Sequence, residues 1–331
     1  MHLRLLEVLA CPKCADALAC ETTKAGDDGE VIEGKLDCAG CSASFPIVET
    51  IPRFVPHDNY AASFGYQWNL FRREQMDTDS GSELSARRFF SETGWAPEQM
   101  KGRWVLDVGC GAGRFLEIVA ETGAEAIGLD ISSAIDATRE NLKDAKTVHL
   151  VQASALEPPF RKGALDFVYC IGVAQHTPDP PGVMRLLPQL ARQGGEVAVT
   201  VYERRPWTML NAKYLVRPLT RRMPNERLLK KIRDVMPMMF PLTDVLFRIP
   251  LLGRLFEFTI PIANYVRETR LNRQQRYEWA VLDTFDMLSP AFDQPQTAQE
   301  IERALGEGGL AEMRRLPNPG ANIVGRKPQA A

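Results

Sequence analysis

The chain has 331 residues and a formal net charge of −2, and hydrophobic and charged residues make up 45% and 25% of it. These values are typical of globular proteins and exclude a largely disordered chain. The length predicts one full α/β domain with additional units, because single cores stop growing near about 250 to 300 residues. No apolar run approaches the roughly 18 residues that span a bilayer, and the first residues lack the layout of a signal peptide, so we expect a cytoplasmic protein.

Cysteines cluster at the start of the chain. Cys11 and Cys14 form one Cys-x-x-Cys pair, Cys38 and Cys41 form a second, and 23 residues separate the two pairs. In a reducing compartment this spacing predicts thiolate ligands of a zinc ion rather than disulfides. Four thiolates complete a tetrahedron, so we expect a structural zinc ion. It would stabilise a module at residues 1–56 that is too small for a core of its own.

The next segment, residues 57–100, is predicted to be a helical linker or cap. It contains an aromatic cluster of Phe64, Tyr66, Trp68 and Phe71. An aromatic cluster at this spacing is typical of simple packing. The alternative is that Tyr66, Gln67 and Trp68 close over a bound cofactor.

From residue 101 onward, short apolar runs alternate with helical patterns. The predicted strands cover residues 104–108, 126–130, 149–152, 166–170 and 196–201. Such alternation predicts right-handed βαβ units and a parallel sheet covered on both faces. Residues 296–327 return to this pattern, with a capped helix and closing strands at 310–316 and 321–326. We therefore predict a doubly wound α/β domain, with a mostly parallel seven-stranded sheet, formed by residues 101–203 and 296–327.

Residues 204–295 interrupt that domain with a different pattern. Between Glu203 and Glu278 there are 16 Lys or Arg against 7 Asp or Glu, a local charge of +9. Basic residues are interleaved with apolar ones, and prolines favour short packed helices over one continuous amphipathic helix. We predict a helical insertion that forms a lid over an acceptor. The alternatives are a solvated surface, a patch for an anionic substrate or nucleic acid, and a peripheral membrane contact with acidic lipid.

A glycine loop follows the first strand of the α/β domain. Gly109, Gly111 and Gly113 lie between that strand and the next helix, where glycines let a ligand approach the backbone and a helix N-terminus supplies free N–H donors. This arrangement predicts a cofactor cradle. A dinucleotide fingerprint requires its third glycine one position later, where Arg114 stands, so a pyrophosphate ligand is disfavoured.

The loop resembles the first motif of class I S-adenosylmethionine-dependent methyltransferases, an acid followed by Gly-x-Gly-x-Gly. The resemblance implies that Asp107 supports the loop and the methionine amino end of the cofactor. Asp130 ends the second strand, where the family's acid accepts both ribose hydroxyls. Residues 151–160 resemble the loop that contacts adenine, although many relatives have Asp where Ser154 stands. The residues implied to bind the cofactor are Asp107, Gly109, Cys110, Gly111, Gly113, Asp130, Ile131, Ser154, Ala155 and Ile171.

A single histidine is the candidate catalytic base. His176 follows the predicted fourth strand, at the carboxyl edge where doubly wound sheets bind their ligands. Because the cofactor's sulfonium already activates the methyl group, one base suffices for a hydroxyl or ammonium acceptor. The alternative is a loop histidine that bonds to backbone. Asp283 and Asp286, inside the insertion, stand where it could face the site, but we interpret them as helix-surface or capping groups.

The sequence around the cysteine pairs resembles the small zinc-ribbon family whose eukaryotic members activate RNA and protein methyltransferases. We therefore expect a methyltransferase that uses S-adenosylmethionine and acts on a small molecule, for example a cell-surface or natural-product intermediate. One alternative is a ribosomal-RNA or tRNA methyltransferase, and another is a non-catalytic cofactor-binding scaffold, for which Ser154 is the argument. No DNA partner is expected. An acidic segment between the cysteine pairs disfavours RNA: Glu21, Asp27, Asp28, Glu30, Glu33 and Asp37.

Overall fold

A computed structural model describes residues 1–27, 29–56 and 59–329. Asp28 of the acidic segment lies outside the described residues, and so does residue 57, where the predicted linker begins. Within the described part of the chain, no helix is long and apolar enough to cross a membrane.

The described residues form eleven strands in two sheets. Their bounds are β1 Leu18–Ala25, β2 Val31–Cys38, β3 Ser44–Val48, β4 Ile51–Pro52, β5 Trp104–Val108, β6 Glu125–Asp130, β7 Val148–Gln152, β8 Leu165–Ile171, β9 Ala191–Val201, β10 Ala311–Arg315 and β11 Ala321–Arg326. The large sheet has the order β10-β11-β9-β8-β5-β6-β7. Six of these strands run in the same direction, and β11 runs in the opposite direction. This is the predicted seven-stranded, mostly parallel sheet, and the fold class is confirmed.

Helices cover both faces of this sheet. Further helices form the segment before β5 and the insertion after β9. Their bounds are α1 Ala62–Leu70, α2 Asp77–Ser80, α3 Leu84–Thr93, α4 Pro97–Met100, α5 Arg114–Glu121, α6 Ala134–Asn141, α7 Pro180–Leu190, α8 Ala212–Thr220, α9 Asn225–Leu246, α10 Gly253–Thr259, α11 Arg273–Leu288 and α12 Ala298–Glu307. All seven residues of β8 are buried, as expected for a parallel strand packed on both sides. α12 begins with a capping box in which Thr297 and Glu300 exchange hydrogen bonds.

The N-terminal module is a four-stranded antiparallel sheet of β1 to β4. The sequence analysis found no strand at β1 or β2, because β1 exposes most of its side chains and lacks an apolar alternation. The module packs on the large domain. Leu9 forms a bridge with Phe160, and Arg53 pairs with Gln152 at the edge strand β7. Apolar residues of both units therefore belong to one continuous core.

The basic insertion contains α8 to α11, and one of these helices corrects a prediction. α9 runs unbroken for 22 residues through Pro237 and Pro241. The expectation of short helices here is wrong. Both prolines lie on the exposed face, where water can hydrogen-bond the carbonyl groups that lose a proline N–H partner.

Candidate active site

The four cysteines predicted to bind zinc lie together in the N-terminal module. The sulfur atoms of Cys11, Cys14, Cys38 and Cys41 are all within 4.8 Å of one another. Two of these distances are 3.6 and 3.3 Å. A tetrahedral zinc ion with bonds of about 2.3 Å separates its sulfur ligands by about 3.8 Å, so this set fits zinc. Cys20 lies outside the cluster, with its sulfur 3.9 Å from the Thr22 hydroxyl.

A cavity of about 770 Å³ opens at the carboxyl ends of the central strands of the large sheet. Its floor is the glycine loop, where Gly109, Gly111 and Gly113 have φ values of +86°, +56° and +90°. A Cβ atom on Gly109 would lie 2.4 Å from a methyl group of Val173. A side chain is therefore excluded here both by backbone conformation and by space.

The predicted ribose acid organises this loop. Asp130 ends β6 and accepts a hydrogen bond from the Gly111 N–H at 3.0 Å. Its other oxygen accepts bonds from the backbone and hydroxyl of Ser132 at 2.8 and 2.7 Å. Burial raises the pKa of the Asp130 carboxyl, and these hydrogen bonds act in the opposite direction.

Beneath the loop lies a second buried acid. Asp107 is 2% exposed, and burial raises the pKa of its carboxyl to about 8. The Tyr169 hydroxyl lies beside this carboxyl and acts to lower its pKa against the larger effect of burial, although the geometry of the pair falls short of a full hydrogen bond. An imperfectly satisfied buried oxygen carries a free-energy cost that a donor group would remove, which is compatible with the role that the sequence resemblance implies for Asp107.

Seven of the predicted cofactor residues line the cavity. They are Gly109, Cys110, Gly111, Asp130, Ile131, Ala155 and Ile171. The other three, Asp107, Gly113 and Ser154, lie next to it. Asp107 lies below the loop, and Gly113 is the N-cap of α5. The Ser154 hydroxyl accepts the Leu156 N–H at 3.1 Å, while the adjacent Ala153 lines the cavity.

The aromatic segment of α1 forms the roof of the cavity. The Trp68 indole lies directly over Gly111, because a Cβ atom there would be 3.1 Å from the indole Nε1. Phe64 also lines the cavity, whereas Tyr66 packs on Phe285. The amide of Gln67 donates to Asp286 at 3.2 Å.

The candidate base is held in one orientation. His176 lies in a short 3-10 helix after β8, between the rings of Phe64 and Tyr202 at centroid distances of 5.2 and 5.5 Å. Its Nδ1 is 2.9 Å from the backbone carbonyl of Phe292. A carbonyl only accepts, so Nδ1 carries the proton and Nε2 has the lone pair. No residue in the described ranges hydrogen-bonds to this Nε2.

Two acids of α11 also line the cavity, which the sequence analysis did not expect. Asp283 accepts from the Gln75 amide at 3.3 Å, and Asp286 accepts from Gln67. Burial raises the pKa of Asp283 to about 7 and also raises that of Asp286. The interpretation as helix-surface groups is wrong. The available signal was the shared helical face of Trp279, Asp283 and Asp286, at intervals of four and three residues.

Arg114 and Lys213, two cations that line the cavity, have partners other than Asp283 and Asp286. The Arg114 guanidinium lies over the rings of Phe115 and Trp279, and it donates to Gln75 and Ser85 at 2.8 Å. The Lys213 ammonium forms an ion pair with Asp293, also at 2.8 Å. Within the described residues, neither Asp283 nor Asp286 has an ion-pair partner. Their carboxylates are thus available to donors of a bound molecule.

Comparisons with known proteins match two parts of the chain to known families. A family model described as a methyltransferase domain matches residues 106–199, and one described as Trm112p-like protein matches residues 2–49. The ubiquinone biosynthesis O-methyltransferase of Bordetella pertussis is 31% identical over 175 residues, which cover 45% of this chain and 71% of that protein. The same enzyme of Pseudomonas paraeruginosa is 32% identical over 136 residues, 38% of this chain, and the chain spans only 59% of its length.

Solved structures show weaker likeness. A Haloferax volcanii complex between the Trm112 methyltransferase activator and a methyltransferase aligns with a TM-score of 0.45 and 13% identity, covering 81% of this chain and 99% of that chain. An S-adenosyl-L-methionine-dependent methyltransferase from Methanococcus maripaludis has a TM-score of 0.45 and 12% identity, over 84% of this chain and 98% of that chain. Likeness at this level carries no argument about substrate or partner.

Proposed function

The chain belongs to the class I S-adenosylmethionine-dependent methyltransferases, and we propose that it methylates a small molecule bound between the glycine loop and α11. One observation carries the proposal: the glycine loop, His176 and the two acids of α11 line a single cavity. A methyl donor at the loop and an acceptor beside the histidine would therefore share one enclosed space.

The residues of the loop fit S-adenosylmethionine. The glycine cradle leaves room where a Cβ would collide, and the buried carboxyl of Asp107 lies below it. In this proposal Asp107 faces the amino group of the cofactor and Asp130 accepts its ribose hydroxyls. The remaining parts of the cofactor contact Ile131, Ala155 and Ile171. The bound cofactor supplies an electrophilic methyl group.

The remaining chemistry belongs to the chain's own side chains. His176 takes a proton at Nε2 from the acceptor, since its Nδ1 is committed to the Phe292 carbonyl. Asp286 lines the same cavity as His176, and burial raises the pKa of its carboxyl while the nearby histidine acts in the opposite direction. Aromatic rings around the cavity exclude water.

Two considerations favour a small acceptor with hydrogen-bond donors. When ionised, Asp283 and Asp286 repel phosphate groups, which disfavours an RNA backbone beside them. Arg88, Arg114 and Lys213 line the same cavity and are held by protein groups. The relatives named ubiquinone biosynthesis O-methyltransferases support a hydroxyl group as the acceptor. An intermediate of cell-surface or natural-product biosynthesis that carries a phenol or another hydroxyl fits this description.

The test combines cofactor binding with methyl transfer from labelled S-adenosylmethionine to a panel of phenols, catechols and sugars, with tRNA and ribosomal RNA as rival substrates. We expect label on a small molecule and none on RNA. The His176→Gln variant should bind the cofactor within about twofold of wild type and lose about 10² to 10⁴-fold in kcat. Label on RNA, or unchanged kcat in that variant, would contradict the proposal.

A further inference from the structure

Among the described residues, most of the large apolar side chains that are exposed lie in the insertion. Seven apolar residues of α9, α10 and the turn between them lie in solvent, and we refer to them as the apolar ridge. Leu251 is 100% exposed and the others are between 44% and 66% exposed. The apolar ridge consists of Val235, Met238, Leu242, Val245, Leu251, Leu252 and Leu255.

The four ridge residues of α9 form one stripe and not a scatter of single residues. They are spaced by three, four and three positions, which places them on one side of the helix. The opposite side, with Ile232, Met236 and Phe240, is buried against α11. α9 is therefore apolar on two faces, only one of which the fold uses. Contiguous exposed apolar patches of this kind mark an interaction site.

Basic side chains flank the ridge. Between Asn225 and Thr259, the span of α9 and α10, there are 6 Lys or Arg and 4 Asp or Glu. In the described part of the chain, Arg227, Lys231, Arg248 and Arg254 are exposed and form no ion pair. Lys230 makes one exposed pair with Asp234, which contributes little.

A second exposed group lies on α8 and the turn before it. Leu215 and Leu219 are 76% and 67% exposed, and Trp207, Met209 and Leu210 precede them. The other side of α8 faces the interior, where Arg217 donates to the Met287 carbonyl at 3.0 Å. α8 thus stands between the cavity, which Lys213 lines, and the outside.

We propose that the apolar ridge and its basic flanks bind an anionic lipid surface, with α9 and α10 lying in the interface. Apolar side chains enter the acyl boundary while lysine and arginine contact acidic headgroups. A second copy of the chain fits less well, because a two-fold contact through this face brings the exposed, unpaired basic residues of both copies together: Arg227, Lys231, Arg248 and Arg254. The inference does not depend on the acceptor, so its failure leaves the proposed methyl transfer untouched.

The test is co-sedimentation of the full chain with vesicles of phosphatidylcholine containing about one third phosphatidylglycerol. We expect binding at low salt that disappears near 1 M salt, where the Debye length is about 3 Å. Replacing Lys230, Lys231, Arg248 and Arg254 by Gln should weaken binding by about fivefold for each residue removed. Replacing Met238, Leu242, Leu251 and Leu255 by Gln should weaken it by at least about tenfold.

Matched controls carry the same changes elsewhere. Lys101, Lys143, Lys146 and Arg303 are exposed and remote in sequence, and their Gln variants should bind vesicles like wild type. The pair Leu3→Gln and Leu70→Gln controls for exposed leucine in general. Retained zinc and cofactor binding would show that each variant is folded. Equal binding to pure phosphatidylcholine, no binding at all, or equal losses in the controls would overturn the proposal. So would a wild-type dimer in sedimentation that the ridge variant converts to a monomer.

Discussion

The carboxylate of Asp130 accepts the backbone N–H of Gly111 at 3.0 Å, across 19 residues of sequence. The acid at the end of β6 is thereby bonded to the glycine loop at the end of β5. The same side chain is predicted to bind the ribose of the cofactor, so it would serve both to hold the loop and to contact the ligand. Its loss should affect the cofactor more than the fold.

We predict that Asp130→Ala weakens S-adenosylmethionine binding by about 1.5 to 3 kcal/mol, the scale of lost charge-assisted hydrogen bonds. Titration calorimetry measures the change. Asp130→Asn is the matched variant, because it keeps the size of the side chain and one acceptor while removing the charge, and it should lie between wild type and Ala. Unchanged affinity in both variants would remove Asp130 from the cofactor site.

Asp107 makes the stability of the ligand-free protein depend on pH. Burial raises the pKa of this carboxyl to about 8 in the folded chain, above the unfolded value of about 3.9. Its contribution to stability is therefore complete below the unfolded pKa and is lost as the pH rises through about 8. Asp107→Asn removes this dependence.

We accordingly expect wild type to lose about 2 to 4 kcal/mol of unfolding free energy relative to Asp107→Asn between about pH 5 and about pH 8.5. Denaturant titrations of both proteins at the two pH values give the difference. Asp144→Asn, at an exposed position, serves as the control and should show no such divergence. Parallel pH profiles for wild type and Asp107→Asn would show that the carboxyl titrates normally.

The large sheet could be predicted because each of its strands is marked by its own residues. β5 and β8 are apolar runs with buried positions throughout most of their length, and the glycine loop and Asp130 mark two strand ends. β1 could not be predicted in this way, since its exposed polar side chains give no alternation. It is held by pairing with β2, a contact that the sequence of β1 alone does not encode.

The acceptor side of the cavity was harder to predict for a related reason. Asp283 and Asp286 occupy positions of α11 that resemble an ordinary polar helix face, and they face a cavity because residues of α1, α3 and α5 also line it. Their partners Gln75 and Gln67 lie 208 and 219 residues away in sequence. The residues assigned to the cofactor and the base stay predictions that the variants above test.

The zinc cluster predicts one metal ion per chain, which elemental analysis of protein purified without chelators measures. Cys11→Ser and Cys38→Ser should each release it, because three thiolates no longer close the tetrahedron. Cys20→Ser is the matched control and should keep the metal, since Cys20 lies outside the cluster. The large domain should stay folded in all three variants. Metal-free wild-type protein would contradict the site.

Asp283 should show a trade between stability and acceptor binding. Burial raises the pKa of its carboxyl to about 7, so its contribution to stability is present below the unfolded pKa and lost as the pH rises through about 7. Near pH 8 the ligand-free wild type holds a buried charge without an ion-pair partner. Asp283→Asn keeps the shape of the side chain and removes that charge.

We therefore expect Asp283→Asn to be more stable than wild type by about 3 to 4 kcal/mol near pH 8, and about equally stable near pH 4, where the folded wild type also carries a neutral group. The same variant should raise the acceptor KM by about tenfold, because an amide accepts a hydrogen bond more weakly than a carboxylate, while cofactor affinity stays within about twofold. Thermal unfolding at the two pH values and steady-state kinetics on an acceptor identified by the methyl-transfer panel measure both effects. A gain in stability with an unchanged acceptor KM would show that Asp283 faces the cavity without touching the acceptor, and the acceptor would then have to be held by Asp286 and the aromatic wall alone.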